Sequence, residues 1–177
     1  DEITSISHKY NIQMIEDAAE ALGSLYKGKH VGNAGHSSAL SFNGNKIITT
    51  SGGGMLASEN GTLIEHARKL STQAREKFSH YEHLEIGYNY RMSNIVAAIG
   101  GGQLDVLNDR VARRRDIFKF YRHELDGLNG ISFMPEAEYG MSNRWLSVIE
   151  IDSEAAGTSR ESVRLSLEEN NIESRPI

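Results

Sequence analysis

Ser41-Phe42-Asn43-Gly44-Asn45-Lys46-Ile47-Ile48-Thr49-Thr50, running on into Ser51-Gly52-Gly53-Gly54, is the stretch on which the reading of this chain turns. The short apolar run Ala39 to Phe42 reads as a strand, and the β-branched run Ile47 to Thr50 reads as another. Lys46 then stands on a tight loop between two strands. A lysine fixed there, with a serine five residues before it, could form a Schiff base beside a phosphate site. Taken alone, a solvated loop lysine is the simpler reading, because most lysines are exposed.

Two further segments change that balance. Ile12, Met14 and Ile15 suggest a buried strand over Ile12 to Glu16, with Asp17 at its carboxyl end and small residues after it. In open α/β sheets, ligands bind at that edge. A carboxylate there can keep a pyridinium nitrogen protonated. Asp is also a favoured helix N-cap residue, and on this segment alone the cap is the simpler reading. Gly87-Tyr88-Asn89-Tyr90-Arg91-Met92-Ser93-Asn94 is a polar-aromatic loop leading into the helical pattern Ile95, Val96, Ile99, Leu104, Leu107. Ser93 or Asn94 is placed to cap that helix.

Together, Glu16-Asp17-Ala18-Ala19, Ser41-Phe42-x-x-x-Lys46 and Gly87-Tyr88-Asn89-Tyr90-Arg91-Met92 resemble the DegT/DnrJ/EryC1/StrS sugar aminotransferases in order and rough spacing. The resemblance covers nearly the whole chain. It implies a pyridoxal-phosphate enzyme of the aspartate-aminotransferase fold (fold type I, α/β). Asn43-Gly44-Asn45-Lys46-Ile47-Ile48-Thr49-Thr50-Ser51-Gly52-Gly53-Gly54-Met55 looks like the branch that makes 4-amino-4,6-dideoxy nucleotide sugars.

The resemblance also implies roles. Lys46 would hold pyridoxal 5′-phosphate covalently and act as the general acid/base of proton transfer. Asp17 would pair with the pyridine nitrogen, and Ser41 would hydrogen-bond the cofactor phosphate. Asn89 would reach the phosphate in a neighbouring subunit, so the enzyme would be a homodimer with shared active sites. Glu20 occupies a place where relatives often carry Gln or His near the ring's phenolic oxygen. A carboxylate there is unfavourable unless it is protonated or points away. His36 stands where relatives usually have Asp, and its role is open. The implied substrates are a 4-keto-6-deoxy nucleotide sugar and L-glutamate, with a UDP-linked N-acetyl sugar slightly preferred to a GDP-linked one. The implied location is the cytoplasm.

Composition agrees with an ordinary enzyme segment: 177 residues, net charge −5 and 38% hydrophobic residues. That length allows one domain, or one plus part of another. No run of about 18 apolar residues suggests a membrane span, and no signal-peptide pattern opens the chain. The absence of cysteine excludes disulfides and thiolate metal sites. The mildly acidic balance gives no support for general nucleic-acid binding. Arg110, Arg113, Arg114 and Arg115 are interspersed with Asp105, Asp109, Asp116 and Glu124 at helical spacing, which favours a solvated face. His80 and His83, with Glu82 and Glu85, have no third ligand at a motif spacing, so no metal site is expected.

The expected organisation follows. Ile3 to Tyr10 reads as the end of a helix, and Tyr26 to Gly32 as a hairpin with Gly28 in its turn. Ile47 to Thr50 and Met55 to Ser58 are expected to pair as strands about the glycines. Gly61 to Arg75 is helical, with Leu63, Ile64, Ala67 and Leu70 on one face. A helical region runs from Asn94 to Leu128. Gly100-Gly101-Gly102 should mark a kink, a break or a close contact, since each glycine costs roughly 1 kcal/mol in a helix. Ile131 to Met134 and Trp145 to Ile151 read as strands, and Ser159 to Asn170 as an amphipathic helix.

Residues 1–105 are expected to be part of the cofactor-binding large domain, and residues 106–177 a linking helix and part of a smaller α+β domain. Relatives are about twice as long, and Ser174 to Ile177 looks like mid-strand, so a fragment is expected. Two other readings stay open. A sugar dehydratase of the same family would replace the lysine by histidine, and Lys46 argues against it. A non-catalytic α/β domain binding a phosphorylated ligand would leave Lys46 a plain loop residue.

Overall fold

The computed structural model describes residues 1–177. Its elements are α1 (Glu2–Tyr10), β1 (Ile15–Asp17), β2 (Leu25–Tyr26), β3 (Lys29–His30), β4 (Ser37–Ser41), β5 (Gly54–Ala57), α2 (Gly61–Ser71), α3 (Asn94–Leu104), α4 (Leu107–Leu125), β6 (Ile131–Phe133), β7 (Gly140–Met141), β8 (Ile149–Ile151), α5 (Ser153–Ala156) and α6 (Arg160–Glu169).

One sheet, in the order β1-β4-β5, sets the geometry of the site. β1 and β4 are parallel, with Asp17 opposite Ala39. Both strands therefore end on the same edge, and Ser41 lies two residues further along it. β5 returns antiparallel, with Ser41 opposite Gly54. The start of the parallel pair is held by two unusual partners. His36 Nδ1 accepts the Met14 N–H at 3.0 Å, while the His36 N–H donates to the Met14 carbonyl at 2.8 Å. Glu16 accepts the N–H groups of Gly32, Ala34 and Gly35 at 3.0, 2.6 and 2.6 Å. The open role of His36 is thereby a structural one: it ties the entry of β4 to the entry of β1.

A second sheet, β3-β2-β7, joins the two halves of the sequence. Its hairpin turns at Lys27 and Gly28, both at positive φ (50° and 78°), the backbone that a two-residue turn between twisted strands requires. β7, which the sequence pattern did not reveal, pairs with β2 and brings the segment after it onto the first sheet. β6 and β8 form a separate antiparallel pair.

The helices start where the caps lie. Asn60 accepts from Leu63 N–H, Ser93 from Val96 N–H and Ser159 from Ser162 N–H. α2 stops at Ser71, short of the expected Arg75. The glycines at 100–102 neither break nor end α3, which runs through them to Leu104. Close packing explains one of the three. A Cβ on Gly100 would sit 2.8 Å from the Thr50 methyl, whereas nothing lies near Gly101 or Gly102.

Three expected strands are corrected. Ile47 to Thr50 is irregular loop, and β5 pairs with β4 in its place. The β-branched residues there are claimed by tertiary contacts. Ile48 is buried, and the side-chain amide of Gln103 grips Thr49, accepting its N–H at 3.1 Å and donating to its carbonyl at 2.7 Å. Only Ile149 to Ile151 of the run from Trp145 is strand, because Trp145 turns inward. Residues 172–177 are not strand.

The buried apolar residues are few, with Phe42, Ile48 and Trp145 gathered about the Lys46 loop. Large apolar side chains stay exposed on β1 and α3 and between them in the chain, Ile15, Ile86 and Ile95 among them.

Candidate active site

Lys46 lies in the long loop between β4 and β5, not in a tight turn. The loop is held at several points. Lys46 N–H donates to Asn43 O at 3.0 Å, and Thr50 N–H to Phe42 O at 2.9 Å. The Lys46 side chain is 12% exposed, and its Nζ donates to Glu20 Oε1 at 3.1 Å. The same Nζ lies 4.4 Å from the ring centre of Trp145. An ammonium over an indole face is attracted by the ring quadrupole.

Asp17 ends β1 at the sheet edge and is exposed. One carboxylate oxygen accepts the Ala19 N–H at 3.1 Å, and the other has no partner. The capping interaction is thus real, yet it leaves an acceptor free. Ser41 closes β4; its Oγ accepts the Asn43 N–H at 3.3 Å and its own proton is uncommitted. Parallel pairing thus sets an acceptor, Asp17, and a donor, Ser41, at the carboxyl ends of adjacent strands, the usual ligand edge of an α/β sheet. Glu20 follows in the turn after β1 and pairs with Lys46, which is the outcome the electrostatic argument favours over contact with a phenolate.

Asn89 belongs to another part of the molecule. It bridges to Thr72 at the end of α2, its side chain is exposed, and no hydrogen bond joins it to Lys46, Asp17 or Ser41. The structure pairs Glu20 with Lys46 and sets Asp17 and Ser41 at the carboxyl ends of adjacent strands, and Asn89 bonds to none of them. His80 and His83 are not gathered either. His83 Nδ1 lies 2.8 Å from Gln73 O, and no cluster of three metal-ligating side chains occurs.

Two residues near Lys46 were missed in the sequence. Trp145 donates from Nε1 to Asn45 O at 2.7 Å, next to the lysine. Asn143 is buried; its amide donates to Glu20 O at 2.8 Å and Leu22 O at 3.0 Å, and its N–H to Ser24 Oγ at 2.9 Å. The one sequence signal was that Trp145 is the chain's single tryptophan.

A salt bridge fixes the approach to this segment. Arg115 on α4 donates to both Glu136 oxygens, at 2.6 and 3.0 Å, and to Ser142 O at 2.6 Å. Ser142 N–H donates to Glu136 Oε1 at 2.6 Å. These bonds, the guanidinium first, outweigh the opposing effect of partial burial and hold the Glu136 carboxyl down at about 2. A cleft between α4 and β6, lined by Arg115, Phe118 and Arg144, contains none of the expected site residues.

The groups present fit pyridoxal 5′-phosphate: a shielded amine paired with Glu20, a carboxylate oxygen without a partner for a ring N–H, and a hydroxyl proton for a phosphate oxygen. The arrangement stands on a mixed α/β scaffold with a parallel strand pair leading to it.

The chain belongs to the DegT/DnrJ/EryC1/StrS aminotransferase family, whose sequence model matches residues 1–177. It is 52% identical over 177 residues to EpsN of Bacillus subtilis (strain 168), provisionally named a pyridoxal phosphate-dependent aminotransferase; the match covers 100% of this chain and 45% of that protein. It is 38% identical over 178 residues to the GDP-perosamine synthase of Escherichia coli O157:H7, covering 100% of this chain and 47% of the relative. The crystal structure of the aminotransferase TlmJ from Streptoalloteichus hindustanus superposes with a TM-score of 0.87 at 26% identity, over 97% of this chain and 46% of that one. The chain thus spans about half the length of the relatives it matches.

Proposed function

We propose that the full-length protein is a pyridoxal-phosphate-dependent aminotransferase that moves an amino group from L-glutamate to the keto carbon of a 4-keto-6-deoxy nucleotide sugar. The observation that carries this reading is the shielded Lys46 amine beside the Asp17–Ser41 sheet edge. Bound cofactor would supply an electron-withdrawing ring and a carbon that takes up and releases the amino group. Lys46 would anchor it and carry the proton to and from the reacting carbon, since its amine is the basic group held there. Asp17 would offer its free oxygen to the ring N–H, and Ser41 its proton to the phosphate. Glu20 would hold the lysine amine and leave the ring's oxygen to other groups.

The sugar assignment is supported by the GDP-perosamine synthase likeness and by the Asn43 to Thr50 stretch. A homodimer with Asn89 reaching the partner's cofactor phosphate is supported by the uncommitted Asn89 side chain and by the exposed apolar groups around it, Ile86, Tyr88, Tyr90 and Ile95. The division near residue 105 would then separate a large cofactor domain from a smaller one, and the cytoplasm is the compartment that suits nucleotide-sugar substrates. No helix is long and apolar enough to cross a membrane.

The test offers full-length enzyme glutamate with UDP- and GDP-linked 4-keto sugars and a 3-keto isomer, and measures amino-sugar product. Amination of a 4-keto sugar is the expected result. Amination of the 3-keto sugar alone contradicts the position of transfer. Binding of pyridoxal phosphate without amination of any keto sugar contradicts the sugar reading.

A further inference from the structure

We infer that Trp145, seated by Asn143, is a positioning residue for Lys46; this rests on the assignment of Lys46 made above. Four independent observations meet at this point. The Trp145 ring lies 4.4 Å from the lysine Nζ. Its indole N–H grips Asn45 O at 2.7 Å, so one side chain restrains both the lysine head and the backbone beside it. Trp145 is itself buried, and its N–H donates to Asn143 Oδ1 at 2.9 Å. Between Asn143 and Trp145 the backbone is strained, with Arg144 at φ 50° in the left-handed region that a long side chain rarely adopts.

That strain is held by the surroundings. The Arg144 guanidinium lies 3.8 Å from the Phe118 ring centre and donates to Met134 O at 3.0 Å. The two residues flanking Arg144 are thus aimed at the same place. Asn143 pins the backbone carbonyls of Glu20 and Leu22, and Trp145 covers Lys46. The segment fixes the lysine and the backbone that carries its carboxylate partner.

A lysine ends in a point charge on a flexible stem, and its catalytic use depends on where that charge rests. The Glu20 carboxylate cannot supply the restraint alone. Its side chain is 60% exposed, and exposed ion pairs hold long side chains weakly. The buried indole is the firmer wall. Trp145→Leu should therefore lower kcat roughly 3- to 30-fold, the range a cation–π contact spans. KM should change little, because the loss falls on the chemical step. Trp145→Phe keeps a ring face and loses the bond to Asn45, so it should fall between the two.

Activity alone would not separate positioning from general damage, so the deciding readout is spectroscopic. Full-length, cofactor-free protein labelled with ε-13C lysine is examined by NMR, and the Lys46 resonance is identified by its loss in Lys46→Arg. A methylene held over an indole face is shifted upfield. The expected result is an upfield Lys46 signal in the wild type, a smaller shift in Trp145→Phe, and an ordinary lysine position in Trp145→Leu. Lys69, held between Glu76 and Glu85, serves as the internal control for a retained fold. An unshifted Lys46 in the wild type, or an upfield shift that survives in folded Trp145→Leu, overturns the inference. If Trp145→Leu does not fold, the wild-type and Trp145→Phe spectra decide it. An unshifted Lys46 in protein that still fixes pyridoxal phosphate there refutes the positioning alone; fixation at another residue refutes the assignment beneath it.

Discussion

Replacing Glu136 by Gln removes one charge from the salt bridge that holds the approach to Asn143 and Trp145, and changes shape very little. The carboxyl is held down from 4.5 to about 2, chiefly by the Arg115 guanidinium and further by the Ser142 N–H. A displacement of that size corresponds to about 3 kcal/mol of folding free energy at neutral pH. Both side chains are about a quarter exposed (26% and 27%), which screens part of it. The expected loss in Glu136→Gln is therefore about 2–3 kcal/mol. Because the folded-state value is depressed, the stabilisation is complete above the unfolded value near 4.5 and is lost as pH falls through about 2. Urea unfolding of full-length wild type and Glu136→Gln, followed at several pH values from 7 downwards, measures both quantities. The gap should be widest at pH 7 and narrow steadily from about 4.5 downwards, because the unfolded chain's Glu136 takes up its proton there while the folded carboxyl stays ionised until about 2. A gap under about 0.5 kcal/mol at pH 7, the worth of an ordinary surface pair, refutes the reasoning. So does a gap that does not respond to acid.

Other outcomes follow from the same geometry. Gly100→Ala should be less stable than Gly102→Ala by about 1–3 kcal/mol in thermal or urea unfolding, because only the first new methyl meets Thr50, which is itself buried. Equal stabilities would mean that α3 stands off the Lys46 loop. Asp17→Asn should bind pyridoxal phosphate with an altered absorption spectrum and transaminate slowly; wild-type speed and spectrum would return Asp17 to a capping role. Mixing Lys46→Ala with Asn89→Ala protein should restore part of the activity, since each mixed dimer would hold one intact site. No rescue after verified subunit exchange would place Asn89 outside the partner's site.

Local chemistry was the legible part of this chain. The Gly28 turn, the Ser93 cap and the edge position of Asp17 all depend on neighbours a few residues away. Lys46 and Asp17 read locally as a loop lysine and a cap, and their expected roles, with that of Ser41, came from the family resemblance. What stayed hidden depends on distant partners. Ile47 to Thr50 has strand composition, but Gln103 and the buried packing of Ile48 take up its groups before a strand can pair with it. Trp145 sits next to an apolar strand pattern, and its destination, Asn45 and Lys46, is invisible from its own neighbourhood. Glu20 was expected near a cofactor oxygen by resemblance; in the structure it pairs with the lysine, because an ammonium satisfies a carboxylate better than a phenolate does. For the glycines at 100–102 the sequence left a kink, a break or a close contact open: helical hydrogen bonding carries α3 through them, and Gly100 alone shows the close contact.

The proposed function stands or falls with Lys46 as the residue that carries the cofactor. Full-length protein incubated with pyridoxal phosphate should turn yellow, lose that colour on borohydride reduction, and yield a peptide with the phosphopyridoxyl group on Lys46. Lys46→Ala should take up no such label and retain less than about one per cent of amino-sugar formation, since general acid/base catalysis alone contributes on the order of 10²–10⁴-fold. Label on another lysine, or colourless protein that still aminates the sugar, would contradict the account.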